Sequence, residues 1–145
     1  MTRRLSRSRA GAAGVLLVDT SVWIEFFRDR SVVDLEAIAA DEEILTCLPI
    51  VQEVLQGFRD ENAFRRARGA LLALPMLDAP PSADVFLAAV DLYRRTRRAG
   101  FTVRSSVDCL IAACALRHDV EVFHVDRDFD ALARVSPLRV RRLAS

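Results

Sequence analysis

Short unbroken apolar runs along this chain are separated by longer stretches in which apolar residues recur every three or four positions. The runs over residues 15–18, 44–47 and 121–125 read as strands buried on both faces, because such strands show no polar alternation. Residues 74–77 and 138–140 predict two further short strands, the last of them at a sheet edge. Helical spacing predicts helices over residues 21–28, 32–42, 49–58, 61–74, 82–99, 105–118 and 128–134. Pro49 suits the first turn of one helix and Gly100 stops another. Strands alternating with helices predict an α/β fold, a three-layer α/β/α sandwich around a mainly parallel sheet.

At 145 residues, with no internal repeat, the chain predicts one domain over residues 14–145. A flexible basic tail is expected over residues 1–13. No run approaches the ~20 apolar residues of a membrane span. Cys47, Cys109 and Cys114 are an odd number without CxxC spacing, which predicts buried free thiols in a reducing cytoplasm. Net charge is only +1, yet all 21 basic residues are Arg. The lack of Lys excludes a Walker A loop and Schiff-base chemistry. It also argues against receiver domains and haloacid-dehalogenase-like phosphatases, whose acids at strand ends are normally paired with a Lys.

The candidate chemistry lies in acids at strand-to-helix junctions. Asp19 follows the first apolar run, Asp126 follows Val122-Phe123-His124-Val125, and Asp108 opens a helical segment at Ser105-Ser106-Val107-Asp108. Glu53 lies within a helical segment but off its buried stripe. Singly, each has a structural explanation. Asp19 and Asp126 suit helix N-caps, Ser105-x-x-Asp108 matches a capping box, and Glu53 suits a solvated face. A calcium loop starting at Asp126 is excluded by Ala131 and Pro137, which stand where Gly and a bidentate Glu are needed. Together the acids point to the crevice at the carboxyl edge of a parallel sheet. Carboxylates converging there repel one another unless a divalent cation neutralises them, and oxygen donors select hard cations. Phosphodiester hydrolysis fits such a centre.

Val18-Asp19-Thr20-Ser21-Val22-Trp23-Ile24 resembles the opening motif of PIN-domain ribonucleases, and specifically of VapC toxins from type II toxin–antitoxin pairs. Pro49 to Gly57, Ser106 to Ala113 and His124 to Phe129 resemble later motifs of that family in the same order. The resemblance implies a PIN-like (Rossmann-like) fold and an endoribonuclease acting on cellular RNA, such as tRNA or rRNA. Its catalytic acids would be Asp19, Glu53, Asp108 and Asp126, holding Mg²⁺ or Mn²⁺. Asp128 would be an additional or substitute ligand, with the Ser21 hydroxyl supporting the site from behind. It further implies a homodimer inhibited by a cognate VapB-type antitoxin. Alternatives are a PIN nuclease of RNA processing without an antitoxin, and a non-catalytic PIN-fold binding module.

Arg94, Arg95, Arg97, Arg98 and Arg104 are the expected holders of RNA phosphates, since planar guanidinium forks bind phosphate bidentately. Arg65, Arg66 and Arg68 read as a solvated face or an antitoxin contact. Trp23, Phe26 and Phe27 read as core or dimer surface rather than base-stacking platforms.

Overall fold

A computed structural model describes residues 14–28 and 31–144, so the expected tail over residues 1–13 lies outside the described residues. Among the described residues the strands are β1 (Val15–Val18), β2 (Glu43–Cys47), β3 (Met76–Leu77), β4 (Glu121–His124) and β5 (Val140–Arg142). The helices are α1 (Thr20–Phe27), α2 (Leu35–Asp41), α3 (Leu48–Leu55), α4 (Glu61–Leu72), α5 (Ala83–Arg98), α6 (Ser106–His118) and α7 (Arg127–Arg134). None is long and apolar enough to cross a membrane.

The sheet order is β3-β2-β1-β4-β5, and every pairing is parallel. The chain therefore winds outward from β1 to β3, then restarts on the other side of β1 with β4. That reversal makes the carboxyl ends of β1 and β4 a topological switch point, where open parallel sheets form a ligand crevice. Helices α1, α3 and α4 pack together as one group, and α5, α6 and α7 as another. The inner strands are apolar because both faces are covered, and Leu16, Leu17, Val18 and Val122 are fully buried.

Helix α6 is the most enclosed. Cys109, Ile111, Ala112, Ala113, Cys114 and Ala115 are all buried, and small side chains permit close approach to its neighbours. The three cysteines are free and buried, as expected. Helix α5 buries Val85, Ala89, Leu92 and Thr96 along one stripe. It ends before Gly100, whose φ of 86° is the left-handed conformation that glycine adopts without steric cost.

Several boundaries differ from the sequence pattern: α3 ends at Leu55, α4 at Leu72, and β3 is confined to Met76–Leu77, while two further differences have a clear local reason. The helix expected over residues 32–42 starts only at Leu35, because the Asp34 carboxylate accepts the Ala37 N–H and so sets the first turn. The edge strand expected over residues 138–140 lies instead at Val140–Arg142, in register with Val122, Phe123 and His124. Leu138 turns into the core.

Leu17 is in register with Leu45 on one side and Val122 on the other, at the centre of the sheet. Leu17→Ala should destabilise the fold by about 2–5 kcal/mol through lost burial and a residual cavity. Chemical denaturation of the two chains measures the difference.

Candidate active site

The site begins with Asp19, which ends β1 in an extended conformation and caps α1. Its backbone N–H donates to the Phe123 carbonyl at 2.9 Å, joining the ends of β1 and β4. Its Oδ2 accepts the Ser21 N–H at 3.0 Å and the Ser21 hydroxyl at 2.6 Å. The same hydroxyl oxygen accepts the Val125 N–H at 3.1 Å. Ser21 therefore locks the first acid against the strand that delivers Asp126. The capping reading of Asp19 is correct for one oxygen only. Its Oδ1 is buried and has no hydrogen-bond partner.

Asp126 caps α7, with Oδ1 accepting the Asp128 N–H at 2.9 Å. Asp128 lies in the first turn of that helix and is 3% exposed. Its Oδ2 accepts the N–H groups of Arg104 and Ser105 at 2.9 and 3.3 Å, satisfying donors at the entry to α6. The capping box expected at Ser105-x-x-Asp108 is consequently not formed. Ser105 is the N-cap residue of α6 but makes no side-chain cap bond. The Asp108 side chain, 4% exposed, meets the other acids instead, and its Oδ2 is buried without a partner.

Carboxylate oxygens of Asp108, Asp126 and Asp128 lie within 4.8 Å of one another. The alternatives Asp126 and Asp128 thus both stand in the cluster. Asp19 joins it electrostatically, since its charge raises the pKa of Asp108. Glu53, half-buried on α3, adds its charge to Asp19. Glu53 Oε1 accepts a 2.7 Å hydrogen bond from the Thr20 hydroxyl. Thr20 has no assigned role in the sequence reading, although it stands inside the first motif.

Burial pushes Asp108 up to about 9, reinforced by the negative charges of Asp19, Asp126 and Asp128 and by a carboxyl–carboxyl hydrogen bond with Asp126. Burial also raises Asp19 to about 6, against the lowering effect of its Ser21 hydrogen bonds. A buried carboxylate oxygen without a donor is costly unless a proton or a cation meets it. The donor set consists of oxygen alone and converges on orphaned oxygens, so these residues fit a hard divalent cation.

Of the arginines expected to hold RNA, only Arg104 lines the open cavity of about 370 Å³ beside the acids, with Ser21, Val125, Asp126, Arg127 and Arg142. Arg94, Arg95, Arg97 and Arg98 are exposed at the end of α5. Arg95 pairs with Asp91 at 2.8 Å, and Arg97 bonds the Tyr93 hydroxyl at 2.9 Å. Arg127 and Arg142 escape the sequence reading because nothing local distinguishes them among 21 arginines. Trp23 is buried and stacks on Phe27, so it belongs to the core.

Comparison with known proteins supplies a context for this geometry. The profile of the PIN domain family matches residues 16–135. The chain is 41% identical over 130 residues to Ribonuclease VapC11 of Mycobacterium tuberculosis, covering 86% of this chain and 96% of that protein. Among solved structures it is similar to VapBC2 from Rickettsia felis bound to a promoter DNA fragment. There the TM-score is 0.70 at 16% identity, over 90% of this chain and 99% of the other. It is also similar to VapBC-5 of Mycobacterium tuberculosis, from a family of toxin–antitoxin systems. That match has a TM-score of 0.66 at 24% identity, over 91% and 99% of the two chains.

The Asp108 shift has a definite sign. Its folded value of about 9 lies above the ordinary 3.8, so the folded chain holds this proton more tightly than the unfolded chain. The resulting stability is complete below about pH 4 and is lost as pH rises towards 9. In metal-free solution, Asp108→Asn should therefore lose less stability than the parent between these limits. Melting curves taken across pH test this, and equal slopes for the two chains would contradict it.

Proposed function

This chain belongs to the PIN domain family, and we propose on that basis that it is the endoribonuclease toxin of a VapBC pair, hydrolysing phosphodiester bonds of cellular RNA such as tRNA or rRNA. The observation that carries the chemistry is the convergence of Asp108, Asp126 and Asp128, with Asp19 beside them, around buried carboxylate oxygens that lack donors. A non-catalytic module using its acids as helix caps has no use for those orphaned oxygens.

Asp19, Asp108, Asp126 and Asp128 would hold Mg²⁺ or Mn²⁺, which when bound lowers the pKa of an attacking water and offsets charge developing at phosphorus. Asp108 would keep its proton while no cation is bound and yield it when positive charge enters. Ser21 keeps Asp19 Oδ2 occupied, leaving Oδ1 as the free donor. Glu53, oriented by Thr20, stands half-exposed at the rim, where it can orient water or accept its proton.

Two apolar surfaces support the expected partners. Phe86 and Val90 on α5 are exposed and, with Tyr93, Val107 and Leu110, line one groove. A neighbouring groove continues along Leu48 to Glu53. We assign this face to the homodimer. A second groove, lined by Ile24, Phe27, Val54 and Phe58, also reaches Glu53. It suits the apolar C-terminal segment of a VapB-type antitoxin closing the site, as a helix or strand laid into a groove does elsewhere. Such a pair acts in the cytoplasm.

Asp19→Asn should reduce RNA cleavage and growth inhibition to background while leaving the fold intact, as judged by circular dichroism. EDTA should silence the parent chain, and Mg²⁺ or Mn²⁺ should restore it. Full activity of purified Asp19→Asn would sink the assignment, and sequencing of RNA ends after induced expression identifies the cleaved site. Phe86→Glu should convert a dimer into a monomer in analytical ultracentrifugation, since an unpaired charge on a desolvated interface costs several kcal/mol.

A further inference from the structure

Three guanidinium groups line the cavity beside the acids: Arg104, Arg127 and Arg142. Arg104 and Arg127 lie in segments that also build the acid cluster, and Arg142 lies on β5 beside one of them. The backbone of Arg104 is pinned by Asp128 Oδ2 at 2.9 Å. Arg127 follows Asp126 as the first residue of α7. Arg142 is in register with His124, at the end of β4. Arg104 and Arg127 are thus placed by the segments that carry the carboxylates, and Arg142 by the pairing of β5 with β4.

Their pairing differs. Arg142 donates to Asp130 Oδ2 at 2.6 Å, and that carboxylate also lies 3.4 Å from the buried His124 Nε2. Arg142 is therefore oriented and partly neutralised. The exposed side chains of Arg104 and Arg127 have no carboxylate partner among the described residues. A site rich in carboxylates repels a polyanion on approach. Unpaired guanidinium groups on one side of it create a direction along which a phosphate chain is attracted.

We propose that this cavity is a phosphate subsite, in which Arg104 and Arg127, with Arg142 at the rim, hold a backbone phosphate of single-stranded RNA next to the scissile one. The proposal rests on the nuclease reading above and deepens it. It shifts the RNA contact from the end of α5, where Arg95 and Arg97 are already engaged, to the mouth of the crevice between β4 and α6. Contacts of this kind position the strand without reading its bases, so the subsite sets register and not sequence choice.

The test measures binding of a labelled single-stranded RNA to the Asp19→Asn chain by fluorescence anisotropy, in Mg²⁺, over a range of salt concentrations. Arg104→Gln and Arg127→Gln, introduced into that chain, should each weaken binding by roughly threefold to tenfold, and equally for RNAs of different sequence. Each should also reduce the salt slope by about 0.7, the value for one phosphate contact on a single strand. Arg139→Gln is the charge-matched control, because Arg139 bonds Asp119 at the opposite end of the sheet. Affinity and slope equal to those of the control would overturn the subsite. So would unchanged RNA binding together with weakened capture of an acidic protein partner. Failure of the nuclease reading shows separately, as no RNA cleavage by the unsubstituted chain with Mg²⁺ or Mn²⁺.

Discussion

Electrostatic crowding at the carboxyl ends of β1 and β4 is the constraint on which the rest of the structure depends. Burial raises the pKa values of Asp108 and Asp19, and the neighbouring negative charges raise them further. A fold that only sought stability would fill this place with apolar side chains or pair each acid. Here the surrounding structure holds the acids together. The sheet edge is shaped by a continuous apolar core, while the carboxyl ends of its central strands carry crowded negative charge of the kind that a bound cation would relieve.

Polar groups near the cluster serve the fold and the site together. The Ser21 hydroxyl ties β1 to β4 and occupies one oxygen of Asp19. Asp128 satisfies donors at the start of α6 and stands among the acids. Thr20 opens α1 and orients Glu53 on α3. Each group with two duties reduces the freedom of the acids, and preorganised ligands lose less entropy when a cation binds. The same economy places Arg104 and Arg127, whose backbones adjoin the acids they face.

Much of the fold was legible. The apolar run over residues 15–18 appears as β1 with unchanged boundaries, because burial on both faces leaves no polar position to blur it. Helix α2 was less legible, since a single side-chain cap at Asp34 outweighed the helical spacing of Val32 and Val33. Of the acids, Asp126 was rightly expected to cap a helix. The capping box at Asp108 failed because Asp128, distant in sequence, took over the donors at that helix entry. The arginines were the least legible. An exposed Arg at a helix end carries no local mark of whether it faces solvent, a neighbouring carboxylate or the crevice.

By itself, the sequence determined the fold class and the order of the elements, and it singled out the acids as candidates. Hydrophobic periodicity and side-chain chemistry are local properties that a single strand or helix already expresses. The tertiary structure alone decided which carboxylate oxygens are left without donors and which arginines face them. Those outcomes depend on contacts such as Ser21 with Val125, 104 positions apart, which exist only once the parallel strands have aligned.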